Sequence, residues 1–131
     1  MWIFTSRGML SIVEHRDDPD TILVRARTHE HLAAFIDTRD IFTDDSADYK
    51  HRALIPREQL ESLMLSLADE VDYDNFKKSI LNREQRYSAA CHEVWATMNT
   101  LQYPRNDWNR GNVSWADDSW AGYPVEHTTV S

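Results

Sequence analysis

One cysteine, three glycines and four prolines among 131 residues already exclude several kinds of protein. A single thiol can form neither an intrachain disulfide nor a cysteine-based zinc site. No run of 18 apolar residues occurs, so no membrane-spanning helix is expected. The opening MWIFTSRGMLSIV carries neither a basic leader nor a small-residue cleavage pattern, so no signal peptide is expected. Positive charge is scarce. Fourteen Lys and Arg against 22 Asp and Glu give a net charge of −8, which disfavours direct nucleic-acid binding. The phosphate-cradling G-x-G-x-x-G and Walker patterns are missing, as are the G-x-S-x-G nucleophile elbow and the H-E-x-x-H metal motif. What is left is an acidic, soluble, cytoplasmic protein with no expected cofactor, no resident metal and no catalytic set.

What is present reads as a fold. Hydrophobic residues make up 41% and charged residues 27%, a globular balance for one domain. Trp2 to Thr5, Met9 to His15 and Thr21 to Arg27 form an antiparallel meander. In the third strand Ile22, Val24 and Ala26 alternate with Leu23, Arg25 and Arg27, which is the period of a half-buried strand. Gly8 sits in the first turn, where a short hairpin loop often requires positive φ. Arg16-Asp17-Asp18-Pro19-Asp20 makes the second turn.

Thr28 caps a short helix with Leu32, Phe35 and Ile36 on one face. Asp37 to Asp48 is an acidic loop with a short edge strand at Ile41 to Thr43. Tyr49 to Ile55 is a further strand, ended by Pro56 at the start of a helix. Leu60, Leu63, Met64, Leu67 and Val71 then form a helical stripe. Asp72 or Asp74 caps the next helix. Its apolar line of Phe76, Ile80, Tyr87, Cys91, Val94, Trp95, Met98 and Leu101 breaks near Asn82 to Glu84. The predicted fold is α+β: an antiparallel sheet of four or five strands covered on one face by two or three helices. It occupies residues 1–103. Residues 104–131 form a C-terminal tail with too few aliphatic side chains for a core of its own.

Three groups of residues bear on function. Residues 37–74 hold eleven acids against four bases, and Asp37, Asp40, Asp44, Asp45 and Asp48 crowd into one loop. Such a row can present a surface to a basic partner and raise its capture rate. Trp108, Trp115 and Trp120 stand among polar residues in the tail, and tryptophan is enriched at interface hot spots. His15 and His51, with Asp17, could form a two-histidine, one-carboxylate metal site if their strands pair. Other chemistry reads as structural. Cys91 lies on an apolar helix stripe and His92, one residue on, faces elsewhere, so the thiol reads as a small core residue. Arg25 and Arg27 point from the outer sheet face. RNA platforms interleave aromatics with such bases, and this strand offers none, so an ordinary solvated face is expected.

The run Met1-Trp2-Ile3-Phe4-Thr5 with Gly8, Ser11 and Val13, then His15-Arg16-Asp17-Asp18-Pro19 and Leu23-Val24-Arg25-Ala26-Arg27, resembles a family of small uncharacterised proteins of bacteria and their phages. Asp48-Tyr49, Asp72-Tyr73-Asp74-Asn75-Phe76-Lys77, Tyr87 and Val94-Trp95 look like its later landmarks. The resemblance spans about residues 1–101. No activity attaches to that family, so no catalytic role carries over. It implies a bacterial or phage cytoplasm. In that setting small acidic proteins inhibit or modulate a host complex, for example a defence system. The expectation is therefore a non-enzymatic interaction protein whose partner is a basic host protein or nucleoprotein complex. Alternatives are a small metal-dependent enzyme using His15, Asp17 and His51, and a homodimer that exchanges its tail.

Overall fold

A computed structural model describes residues 1–103. The elements run β1 (Trp2–Thr5), β2 (Gly8–Glu14), β3 (Thr21–Ala26), α1 (His29–Ala33), a 3₁₀ turn (Thr38–Asp40), β4 (Ile41–Thr43), β5 (His51–Pro56), α2 (Arg57–Asp69), α3 (Phe76–Ser79) and α4 (Gln85–Asn99). All strands pair antiparallel in one five-stranded sheet, ordered β1-β2-β3-β5-β4. The chain is therefore α+β, with the N-terminal meander and the short edge strand in their expected places. Two units divide it, parting between Asn82 and Arg83. The division falls at the expected helix break near Asn82 to Glu84.

In the first unit the alternation of β3 sets the architecture. Ile22, Val24 and Ala26 are buried and meet Ile55, Ala53 and His51 across the β3–β5 ladder. Leu10 and Ile12 of β2 continue that face, and Leu32 and Ile36 close it from above. Leu60 and Leu63 of α2 pack on the same cluster while remaining partly exposed. Five residues make α1 too short to stand alone. The Thr28 hydroxyl accepts the His31 N–H at its start, and the buried face of Leu32 holds it to the sheet.

Arg7 ties the first hairpin to the helices. Its guanidinium donates to both carboxylate oxygens of Glu70 and to the Ala34 carbonyl, and lies 4.4 Å from the centre of the Phe35 ring. This clamp joins residues 63 apart in sequence.

Three local expectations need correction. Asn75, not Asp72 or Asp74, caps α3, because its side chain is the one that accepts the Lys78 N–H. Val71 is 65% exposed, since α2 ends at Asp69 and the helical period ends with it. In the second unit α4 buries Tyr87, Cys91 and Ala96, whereas Met98 and Leu101 are exposed. Leu101 lies past the last helical residue.

Candidate functional site

The acidic loop is built around the edge strand β4. Most of its carboxylates have local work. Asp37 caps the 3₁₀ turn by accepting the Arg39 N–H, and its other oxygen takes the Arg39 guanidinium at 2.7 Å. Asp44 accepts both the N–H and the hydroxyl of Ser46. Asp48 accepts the Tyr49 N–H at 2.8 Å. These are the short side-chain-to-backbone bonds that aspartate makes in turns. Asp40 and Asp45 differ. Both are exposed, and Asp45 reaches only a loose contact with Lys50 at 3.9 Å. The Asp40 carboxylate has no hydrogen-bond or ion-pair partner among the described residues, although its N–H donates to the Asp37 carbonyl.

The local bonds tune the acids. Hydrogen bonds from the Arg39 side chain and N–H pull the Asp37 carboxyl from its ordinary 3.8 down to about 2. The Ser46 hydroxyl and N–H lower Asp44 in the same way. A depressed folded value means that the contact is fully present above the ordinary carboxylate value and fades as pH falls through the folded one. The turn at Thr38–Asp40 is therefore expected to hold until the pH approaches about 2. A carboxyl-carbon NMR titration checks this: Asp37 should show a midpoint near 2, and a midpoint near 3.8 would contradict the cap.

β4 is the last strand of the sheet. The Asp44 N–H donates to the Lys50 carbonyl at 2.9 Å, which makes that a bonded pair of the ladder. Alternation then gives Phe42 and Arg52 the next bonded pair and turns the main-chain groups of Ile41 and Thr43 away from β5. The Ile41 N–H is taken by Thr38. The Thr43 N–H and the carbonyls of Ile41 and Thr43 thus lie on the outer edge. Phe42 is 45% exposed beside them. The site is a short strand edge with an exposed ring, flanked by Asp40 on one side and by Asp44 and Asp45 on the other.

The register separates the residues of the metal alternative. The His15 N–H bonds the Thr21 carbonyl at one end of β3, while His51 pairs with Ala26 at the other. Five residue steps of strand, about 16 Å, separate them. His15 instead accepts the Asp17 N–H through Nδ1, and the His51 ring meets His29 edge-on at 5.9 Å. Among the described residues no three metal-binding side chains come together. His31 is buried and its Nδ1 accepts the Met9 N–H. Cys91 is buried as expected, and burial pushes its thiol up, away from the reactive thiolate. Trp108, Trp115 and Trp120 lie outside the described residues.

The outer sheet face departs from a simple solvated surface. Register aligns Trp2, Ser11, Arg25, Arg52 and Phe42 in one row across all five strands. Tyr49, buried just before β5, lies under two guanidiniums, with Arg27 at 4.1 Å and Arg25 at 4.8 Å from its ring centre. Aromatics do accompany the arginines, then, but from neighbouring segments rather than from β3. Nothing within β3 announced them, because a strand's sequence does not state which residues lie opposite. Comparison with protein-family models, with curated proteins and with solved structures finds no match to this chain.

Proposed function

We propose that the chain is a non-enzymatic acidic interaction protein, encoded by a phage or another mobile element, that binds a basic host protein or nucleoprotein complex and inhibits or modulates it. The observation that carries this reading is the outer edge of β4, where exposed Phe42 and unpaired strand groups stand between Asp40 and the Asp44-Asp45 pair. An edge of this kind accepts an extended segment of another protein by main-chain pairing. The carboxylates decide which segment. They attract a cationic one and speed its encounter, and they repel a second copy of this −8 chain. The likeness of residues 1–101 to small bacterial and phage proteins supplies the setting.

The test separates Asp40 and Asp45 from their structural neighbours. Full-length chain and an Asp40→Lys, Asp45→Lys double variant serve as baits in a bacterial host lysate, read by mass spectrometry. The natural chain should retain one host complex, and the double reversal should reduce its recovery on the order of tenfold. Added salt should weaken the natural bait more than the variant. Equal recovery by both baits, with equal salt response, would overturn the proposal. Because neither aspartate caps a turn, lost capture cannot be blamed on a collapsed loop, and an unchanged melting temperature confirms that.

A further inference from the structure

We propose that the outer sheet face holds an oxyanion-binding site formed by Arg25, Arg52 and Ser11, with Arg27 and Tyr49 as its fixed wall. Arg25 and Arg52 stand directly opposite each other in the β3–β5 ladder. The Arg57 N–H bonds the Asp20 carbonyl, so alternation makes Arg25–Arg52 a non-hydrogen-bonded pair, whose Cα atoms approach to about 4.5 Å. Two like charges in such a pair destabilise a sheet unless something of opposite sign joins them.

The chain supplies only part of that counter-charge, although it has 22 acids. Arg25 and Arg27 enter no ion pair among the described residues. Arg52 has only a loose ion pair, with Asp44 Oδ2 at 3.9 Å, while the other Asp44 oxygen accepts the N–H and hydroxyl of Ser46. The Nε atoms of both Arg25 and Arg52 are buried without a partner among the described residues. A buried donor left unmade costs free energy that an incoming acceptor recovers.

The guanidiniums of Arg25 and Arg27 are also held in place beforehand. Arg25 donates to the Ser11 hydroxyl at 2.7 Å and lies over the Tyr49 ring. Arg27 donates to the Asp48 carbonyl at 2.9 Å and lies over the same ring. Ser11 is 1% exposed, so its hydroxyl is held in a dry place. Two planar forks rising from directly opposite residues suit a group with at least two oxygens on one atom, either a phosphate or a carboxylate. This site does not depend on the edge of β4 being an interface.

The experiment uses the full chain and two probes, sodium phosphate and sodium acetate, each matched in ionic strength by sodium chloride. Isothermal titration and thermal unfolding read binding. At least one probe should bind and raise the melting temperature where chloride does not. Arg25→Gln and Arg52→Gln should each weaken that binding about tenfold or more. Arg16→Gln, in the β2–β3 turn, should leave it unchanged. If a glutamine variant does not fold, Arg52→Lys keeps the charge and removes the fork, and should still weaken binding. Phosphate binding alone assigns the site to phosphate-bearing ligands. Acetate binding, alone or beside phosphate, assigns it to carboxylates or to both. If neither probe exceeds chloride, or if Arg16→Gln weakens binding as much as Arg52→Gln, the site is overturned.

Discussion

Gly8→Ala is expected to destabilise the first unit by about 3 kcal/mol, and to lower its melting temperature by about 10–20 °C. Two independent costs meet at this residue. Its φ of 152° lies in a region that side-chain-bearing residues rarely adopt. A Cβ there would also stand 2.6 Å from Cγ of the His31 ring, well inside contact distance. The ring cannot easily retreat, because His31 is buried and its Nδ1 accepts the Met9 N–H next door. The hairpin itself resists movement, with the Gly8 N–H and carbonyl both engaged by the Thr5 hydroxyl. Thermal unfolding followed by circular dichroism measures the loss. The two costs can be told apart with His31→Ala. Placed on the Gly8→Ala background it removes the clash and leaves the strain, so the pair should lose less than the sum of the single variants. A Gly8→Ala protein that melts within about 2 °C of the natural chain would show that the turn relaxes freely.

The same hairpin shows what a sequence can and cannot state. Gly8 is legible as a turn residue from its place between two apolar runs. That it must also leave room for a helix ring 23 residues later is not, because the approach of α1 to β2 is tertiary. The pattern repeats along the chain. Period-2 alternation in Ile22 to Ala26 located β3 and its buried face, and Thr28 and Pro56 marked helix starts, since each acts through its own neighbours. The Arg7–Glu70 clamp and the row from Trp2 to Phe42 depend on pairing between distant segments, and nothing local encodes them. Register also decided against joining His15 to His51. Both end or begin strands, but antiparallel pairing sends them to opposite ends of the sheet.

The acidic loop was legible as composition and not as structure. Five aspartates in Asp37 to Asp48 look equivalent when counted. Three of them make turn and capping bonds, and those bonds account for their presence without a partner. Asp40 and Asp45 make no such bond, and the proposed interface rests on them. The distinction follows from which side chains happen to face an N–H one or two residues along, a matter of loop dihedrals that no charge count resolves.

Leu32→Ala is the second large expected effect, about 3 kcal/mol lost on equilibrium unfolding in urea. Leu32 is 0% exposed and sits in the cluster with Leu10, Val24 and Ile55. Truncation removes the transfer energy of its side chain and leaves a cavity beneath a five-residue helix. That helix leans on its tertiary contacts, of which Leu32 is the most buried, since one turn of helix is unfavourable in water by itself. Leu65→Ala on α2 is the control. Leu65 is 72% exposed, so the same chemical change should alter stability by less than about 0.5 kcal/mol. Equal losses at the two positions would contradict this account of the core. The consequence reaches the edge strand, because α1 leads through Ile36 straight into the Asp37 cap and β4. If α1 loosens before the sheet melts, amide exchange at Arg39 and Ile41 should quicken in Leu32→Ala under conditions where β2 and β3 amides stay protected. The carboxylate-flanked edge would then depend on one buried leucine several residues upstream, and partner capture by Leu32→Ala should fall even at temperatures where the sheet remains folded.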